Sequence, residues 1–359
     1  MNKMNIKLVC DLGPTENNAR NSEGSFLRAP DGSILFAYSR YNTNDWQDAG
    51  QCDIALIRSY DEGESWSEPQ IIARGIEDFG VNNIMSVSGI TQLDGSLAFY
   101  FIIKENDGTT TIGRTVSKDG ISFKSERCIC NYTKAYYVFN NDRLVRLADG
   151  RLMFPASRCH GRSDSEYEWR YEMCCVFSED DGKTFDSISS IVSLDESNCK
   201  SGLQEAGAIE LQNGIIWLWA RTDLGRQYQS FSINGGKSFT KAEASIFSSP
   251  CSPLEMLRSA DGTIYAVYNP IPWYNGRKID PLIDIGGRTP IIIRKSVDDG
   301  AQWGECNIIE DDENRGYCYP SMFITKDNSM LCAYCRGGKD DVCGLNRLGI
   351  SKFKLNEIK

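Results

Sequence analysis

Histidine is almost missing from this chain: one, His160, stands among 359 residues. A zinc site built on imidazoles and a serine–histidine triad both ask for more, so neither has support. Long apolar runs are missing too. The longest are of strand length, far short of the roughly 20 residues a membrane-crossing helix requires. Met1 to Cys10 holds no apolar segment long enough for an export signal, so a cytoplasmic location without a membrane partner is expected. Positive charge is in deficit, with 39 Lys and Arg against 49 Asp and Glu and a net charge of −10. That balance argues against nucleic acid as a partner, but not against a small anion held by a few arginines. Low-complexity tracts and helical periodicity over a full helix length are also absent. Cysteine, in contrast, is plentiful at 14. Without an export signal, reduced and buried thiols are expected rather than disulfides. Cys332 and Cys335 form a lone CxxC on a predicted strand, where alternation sends them to opposite faces and makes them structural.

What is present is repetition. One motif, S-x-D-x-G-x-[ST]-[WF], occurs five times, starting at Ser59, Ser117, Ser178, Ser232 and Ser296. The starts are 58, 61, 54 and 64 residues apart, which implies a modular architecture. The second copy is one residue short, and the fourth has Asn234 in place of Asp. Asp or Asn accepts backbone N–H bonds in a tight turn, and Gly takes the φ > 0 position. The aromatic is expected to bury itself and pin the turn to its own sheet.

A second signal interleaves with the first. Asp31-Gly32, Asp94-Gly95, Asp149-Gly150, Asn213-Gly214, Asp261-Gly262 and a degenerate Asp327-Asn328 each precede a short apolar run rich in β-formers. Turn plus run is a hairpin signal. Each repeat therefore reads as strand A, D-G turn, strand B, variable connection, strand C, Asp-motif turn, strand D. Six such units make an all-β, six-bladed β-propeller of four-stranded antiparallel blades occupying residues 1–359. The sixth unit lacks its Asp motif, so its outer strand is expected from Asn5–Cys10, closing the ring.

This topology puts both kinds of turn on one face. The starts of A, the ends of B, the B–C connections and the starts of C share the other face, where function is expected. There the chain places Arg20, Glu23, Arg40, Asp45, Asp142, Arg143, Gln204, Glu205, Arg221, Asp223, Arg226, Arg288, Tyr317, Tyr319 and Arg336. Arginine forks around one channel suit a planar carboxylate. The acidic residues suit acid–base chemistry beside that anion. A carboxylate nucleophile would be repelled by an anionic substrate; a neutral tyrosine deprotonated by a glutamate would not.

With these features the chain resembles the sialidase (neuraminidase) superfamily and its Asp-box, or BNR, repeats, over nearly its full length. The resemblance implies an exo-glycoside hydrolase that takes a small carbohydrate or oligosaccharide ending in an acidic sugar, by a retaining mechanism with no cofactor or metal. Carried over by position, Asp45 is the acid/base, Glu205 ahead of Glu210-Leu-Gln-Asn-Gly214 activates the tyrosine, and Tyr319 opening strand A6 is the nucleophile, with Tyr317 in reserve. Arg226 and Arg288 stand six and eight residues before their Asp motifs and match two arginines of the family triad, with Arg221 as a substitute for Arg226. Arg20 is carried as the first triad arginine, although the family's R-I-P is replaced by Arg20-Asn21-Ser22-Glu23. That departure puts a hydrogen-bonding carboxylate where sialidases are apolar. Asp142 and Arg143 either contact substrate or pair with each other, and His160 is a structural residue or a rim contact. Two further readings stand beside this one: a glycosidase for a different sugar, and a non-catalytic carbohydrate-binding propeller.

Overall fold

The computed structural model describes residues 1–159, 170–195, 197–272 and 287–359. His160 lies outside the described residues. Six antiparallel blades surround a central channel. Blade 1 runs Arg20–Arg28, Ile34–Tyr41, Cys52–Ser59 and Gln70–Ala73, from the channel outward. Blade 2 runs Ile84–Thr91, Leu97–Lys104, Thr110–Ser117 and Lys124–Arg127. In blade 3 the inner strand is broken into Tyr136–Val138 and Val145–Arg146, both paired with Leu152–Cys159; Glu172–Ser178 and Ser187–Ile188 follow. Blade 4 is Gln204–Glu210, Ile216–Arg221, Arg226–Ser232 and Glu243–Ser248. Blade 5 is Glu255–Arg258, Ile264–Tyr268, Ile291–Ser296 and Asn307–Glu310, with Asn2–Lys3 added in parallel at its edge. Blade 6 is Cys318–Ile324, Ser329–Cys335 and Leu348–Lys354. Its outer strand is Lys7–Leu12, antiparallel to Leu348–Lys354, so the chain start closes the ring two residues later than expected. Among the described residues the only α-helix is Gly75–Phe79.

The core lies between blades rather than inside them. Each of six hydrophobic clusters joins one blade to the next, and the cluster of Phe26, Phe36, Leu331 and Ile350 joins blade 6 to blade 1. A four-stranded sheet has two apolar faces here, and each finds its cover only on a neighbour.

The Asp motifs are part of these joints. In the first, Ser59 Oγ donates to Asp61 Oδ1 at 2.8 Å, Gly63 N–H donates to Ser59 Oγ at 2.8 Å, and Ser65 N–H donates to Asp61 Oδ1 at 2.9 Å. The same Ser-to-Asp or Ser-to-Asn bond recurs in the other four copies at 2.8–2.9 Å. The aromatics reach beyond the sheet to which the sequence assigned them. Trp66, Phe123, Phe185, Phe239 and Trp303 each lie in the cluster shared with the preceding blade. The glycine is tied to that neighbour as well. At Gly182, with φ 81°, a Cβ would overlap Tyr100 Oη of blade 2, and at Gly63 one would lie 2.6 Å from Leu331 Cδ2 of blade 6. The motif needs glycine both for its backbone conformation and for the close approach of the next blade.

Candidate active site

The inner strand of four blades carries the same irregularity. Glu23, Ser86, Glu205 and Tyr319 have φ of 54°, 62°, 53° and 54°, each at a break in the register with strand B. Each stands eight residues before the Asp or Asn of its own turn: Asp31, Asp94, Asn213 and Asp327. A bulge of this kind inserts a residue and re-aims its side chain. A side-chain-bearing residue in the left-handed region costs on the order of 1–2 kcal/mol, so the neighbours must hold it. They do: Ser39 Oγ accepts from Ser86 N–H at 2.9 Å, Ser157 Oγ accepts from Ala206 N–H at 3.0 Å, and Asn141 Nδ2 donates to the Tyr319 carbonyl at 3.4 Å. The four bulges aim their side chains at one cavity of about 220 Å³ in the channel mouth. Asp48, Lys104 and Arg221 complete its charged wall, and Met85, Ile102, Tyr136 and Tyr171 supply apolar surface.

Of the residues the sequence placed on this face, Glu23, Gln204, Glu205, Arg221 and Tyr319 line this cavity, and Arg288 stands beside Tyr319. The Tyr319 hydroxyl donates to Glu205 Oε1 at 2.8 Å, and Arg221 Nε lies 3.0 Å from Glu205 Oε2. The Arg288 guanidinium lies over the Tyr319 ring, 5.6 Å from its centroid. Arg221 Nη1 and Arg288 Nη2 both donate to the Cys251 carbonyl, at 3.1 and 3.2 Å, so one oxygen holds the two cations side by side. Arg288 Nη1 donates to Cys318 Sγ at 3.2 Å. Burial and the charge on Glu205 push the Tyr319 phenol well above its ordinary value, with Arg221 and Arg288 opposing. The resting phenol therefore keeps its proton, in its hydrogen bond to Glu205.

The other residues expected at the site are placed differently. Asp45 is exposed and does not line the cavity; its carboxylate accepts from Gln47 N–H at 3.0 Å in a local turn. Three residues on, Asp48 reaches the cavity and takes Arg20 Nη1 at 2.7 Å. Arg226 opens strand C of blade 4 with its side chain in solvent, and Arg221 occupies the cavity wall in its stead. Arg20 is 1% exposed and saturated, by Asp48, by Glu23 Oε2 at 3.1 Å and by Ser22 Oγ at 2.9 Å, with Tyr41 beneath it at 4.7 Å. It stands behind Glu23 rather than facing the cavity. Arg143 is turned to blade 5, where it pairs with Glu255 and donates to the Leu254 carbonyl at 2.6 Å. Asp142 takes bonds from Ser25 Oγ at 2.5 Å, Ser321 Oγ at 2.7 Å and Met322 N–H at 3.3 Å. It ties blades 1, 3 and 6 together rather than pairing with Arg143. Tyr317 is packed against Tyr334 in the cluster between blades 5 and 6.

Glu23, Asp48 and Lys104 add charge that sequence reasoning left out of the catalytic set. Burial pushes the Glu23 carboxyl up to about 7; Arg20 opposes this, and the charges of Asp48 and Glu205 add to it. Desolvation where Asp48 meets the cavity wall works to raise it, but Arg20 and Lys104 outweigh this and hold that largely exposed carboxyl below its ordinary value. The eight-residue offset from the turn singles out Glu23 and Ser86. Asp48 and Lys104 carry no comparable signal, because a loop conformation and a strand end deliver them. Among the described residues, no cluster of His, Cys, Asp or Glu is arranged to hold a metal ion.

The sequence pattern of the BNR repeat-like domain matches residues 46–332. No curated protein matches the sequence. Solved structures match its fold. A Dyadobacter fermentans protein of unknown function is 18% identical, with a TM-score of 0.71 over 97% of this chain and 99% of that one. The NanB sialidase of Streptococcus pneumoniae is 12% identical, with a TM-score of 0.71 over 99% of this chain and 71% of that one. The intramolecular trans-sialidase of Ruminococcus gnavus is 12% identical, with a TM-score of 0.70 over 99% and 98%. At such identities the likeness is one of fold.

Proposed function

We propose that this chain, which belongs to the BNR repeat-like domain family and has a sialidase-like fold, is a retaining exo-glycoside hydrolase for a terminal acidic sugar, sialic acid or a relative of it. The observation that carries this reading is the 2.8 Å hydrogen bond from the Tyr319 hydroxyl to Glu205 inside the cavity. Nucleophile and base within hydrogen-bond reach, the base itself oriented by a third group, is the arrangement of an activated nucleophile. Arg221 is that third group. In the first step the Tyr319 oxygen attacks the anomeric carbon and its proton passes to Glu205, while a cavity acid protonates the departing oxygen. In the second step water displaces Tyr319, which recovers its proton. A neutral phenol suits a substrate whose own carboxylate lies beside the reacting carbon. Arg288 and Arg221 supply the paired donors for that carboxylate.

One observation favours a second sugar class. Arg20 is saturated by Glu23 and Asp48, which among the described triad candidates leaves Arg221 and Arg288 for a substrate carboxylate. A sugar with a smaller anionic demand fits that arrangement. A panel of 4-methylumbelliferyl glycosides headed by the α-sialoside decides the class. On the substrate that turns over, Tyr319→Phe is expected to lower kcat by about a thousandfold or more while the affinity for a non-hydrolysed analogue stays within a few-fold. Wild-type rates in a Tyr319→Phe/Tyr317→Phe double variant would remove the nucleophile assignment. Binding without turnover across the panel would make the protein a carbohydrate-binding propeller.

A further inference from the structure

Retaining chemistry needs one group that gives a proton in the first step and takes one in the second. Apart from Glu205, which serves Tyr319, two carboxyls among the described residues line the cavity: Glu23 and Asp48. They share one guanidinium, with Arg20 at 2.7 Å from Asp48 and 3.1 Å from Glu23. One positive charge balances one carboxylate. Asp48 has the shorter contact, a side chain 69% exposed to solvent, and the Lys104 ammonium bonded to its own carbonyl. Glu23 is 4% exposed. Among the described residues, its other oxygen takes only the Ser86 hydroxyl, at 3.3 Å. Its strand bulges in the same left-handed way as those of Glu205 and Tyr319, at the same distance from the turn, and blade 1 neighbours the blade that carries Tyr319.

We propose that Glu23, and not an aspartate of the loop after strand B1, is the proton donor to the leaving oxygen. The proposal rests on the reading of Tyr319 as nucleophile. As the glycosidic C–O bond breaks, the Glu23 proton moves to the departing oxygen, the Tyr319 oxygen bonds to the anomeric carbon, and the phenolic proton goes to Glu205. In the second step Glu23 takes a proton from water, the resulting hydroxide bonds to the same carbon, and Tyr319 leaves with the proton returned from Glu205. Arg20 is then a positioning residue, stabilising the Glu23 carboxylate between the two steps. Among the described residues, the charged and titratable groups facing Glu23 are Arg20 and Tyr41 from its own blade, Asp48 from the following loop, Lys104 from blade 2, Tyr136 from blade 3, Glu205 and Arg221 from blade 4 and Tyr319 from blade 6. Since burial brings Glu23 to about 7, the protonated form needed for donation is lost as pH rises through neutrality.

The test uses the full chain and two probes, 3′-sialyllactose and 4-methylumbelliferyl α-sialoside. The first has a poor leaving group that needs a proton; the second has a good one that does not. Glu23→Gln is expected to lose about 10²–10⁴-fold on sialyllactose and less than about tenfold on the aryl sialoside, and to lose the alkaline limb of the wild-type pH profile. Infrared difference spectra of wild type and Glu23→Gln between pH 5 and 9 read the carboxyl directly. A protonated-carboxyl band with a midpoint near 7, absent from the variant, is the expected result. Equal losses on both probes, the selective loss appearing in Asp48→Asn instead, or no such band would each overturn Glu23 as donor. A wild-type protein that shows the band but cleaves neither probe overturns the sialidase reading on which the proposal rests.

Discussion

At the scale of single residues, the cavity is governed by which charges already have partners. Arg143 is buried against Glu255, and Arg20 against Glu23 and Asp48, so neither guanidinium is open to a ligand. Arg221 differs. It touches Glu205 through Nε and the Cys251 carbonyl through Nη1, and it faces the cavity. Arg226, five positions later, has its side chain in solvent. Arg221→Ala is therefore expected to lower kcat/KM by at least about tenfold, as a lost charge-assisted pair does, while Arg226→Ala leaves it within about twofold. Steady-state kinetics on whichever glycoside is turned over checks the pair. The reverse order of effects would return the triad position to Arg226. Asp142 shows the same logic: its three bonds to blades 1 and 6 make it a strut between blades.

At the scale of the element, each Asp-motif turn has a local and a non-local task. Locally, the Ser and Asp side chains satisfy the turn's backbone N–H groups. Non-locally, the aromatic and the glycine meet the preceding blade. The two tasks separate experimentally. Gly182 has φ 81° and a Cβ there would overlap Tyr100 Oη, whereas Gly95 has φ 84° and nothing within 4 Å. Gly95→Ala is expected to cost only the backbone strain, about 1–2 kcal/mol. Gly182→Ala adds overpacking of about 1–3 kcal/mol to the same strain. Urea unfolding of the two variants measures the difference, and equal losses would mean that the interblade contact carries no weight. The inner-strand bulge is the second recurring element. Its offset from the D-G turn is legible in the sequence, yet its consequence is not. The alternation rule for strands puts residues on two faces, and only the inserted residue breaks that rule and sends Glu23, Glu205 and Tyr319 into the channel mouth.

At the scale of the whole molecule, opposing carboxyl shifts set the pH range of stability. In the first Asp motif, slight burial raises Asp61, but the Ser65 and Ser59 bonds outweigh it and bring the carboxyl down to about 2. The Gln302 N–H and the Ser296 hydroxyl lower Asp298 in the fifth motif. Such groups stabilise the fold above the unfolded value near 4, and that contribution is lost as pH falls through the folded value. Glu23 works in the other direction. Its folded value of about 7 lies above the unfolded one, so its contribution is complete below about 4 and lost as pH rises through 7. The melting temperature is therefore expected to fall steeply from pH 4 toward 2 and gently from pH 5 to 7. Thermal melts across that range, repeated on Glu23→Gln, test this. The gentle decline should vanish in the variant while the acid limb remains; an unchanged decline would assign it to other groups.

What the sequence by itself determined about this protein is what depends on neighbours along the chain. Turn chemistry and alternating apolar runs defined the blade count, the direction of every strand and the face on which the D-G and Asp-motif turns gather. Closure by the N-terminal strand followed from an unpartnered edge in the sixth repeat. Turn spacing put Glu205, Arg288 and Tyr319 on the face of the channel mouth, while their roles came from the family resemblance, which named Arg226 by the same pattern. Tertiary structure alone decided the rest, because it depends on partners distant in sequence. A local turn at Asp45 hands the cavity to Asp48. Arg143 finds Glu255 on another blade. Arg20 meets two carboxylates at once. Charges in a ring of blades are allotted by which groups face one another across the channel, and no regularity along the chain encodes that.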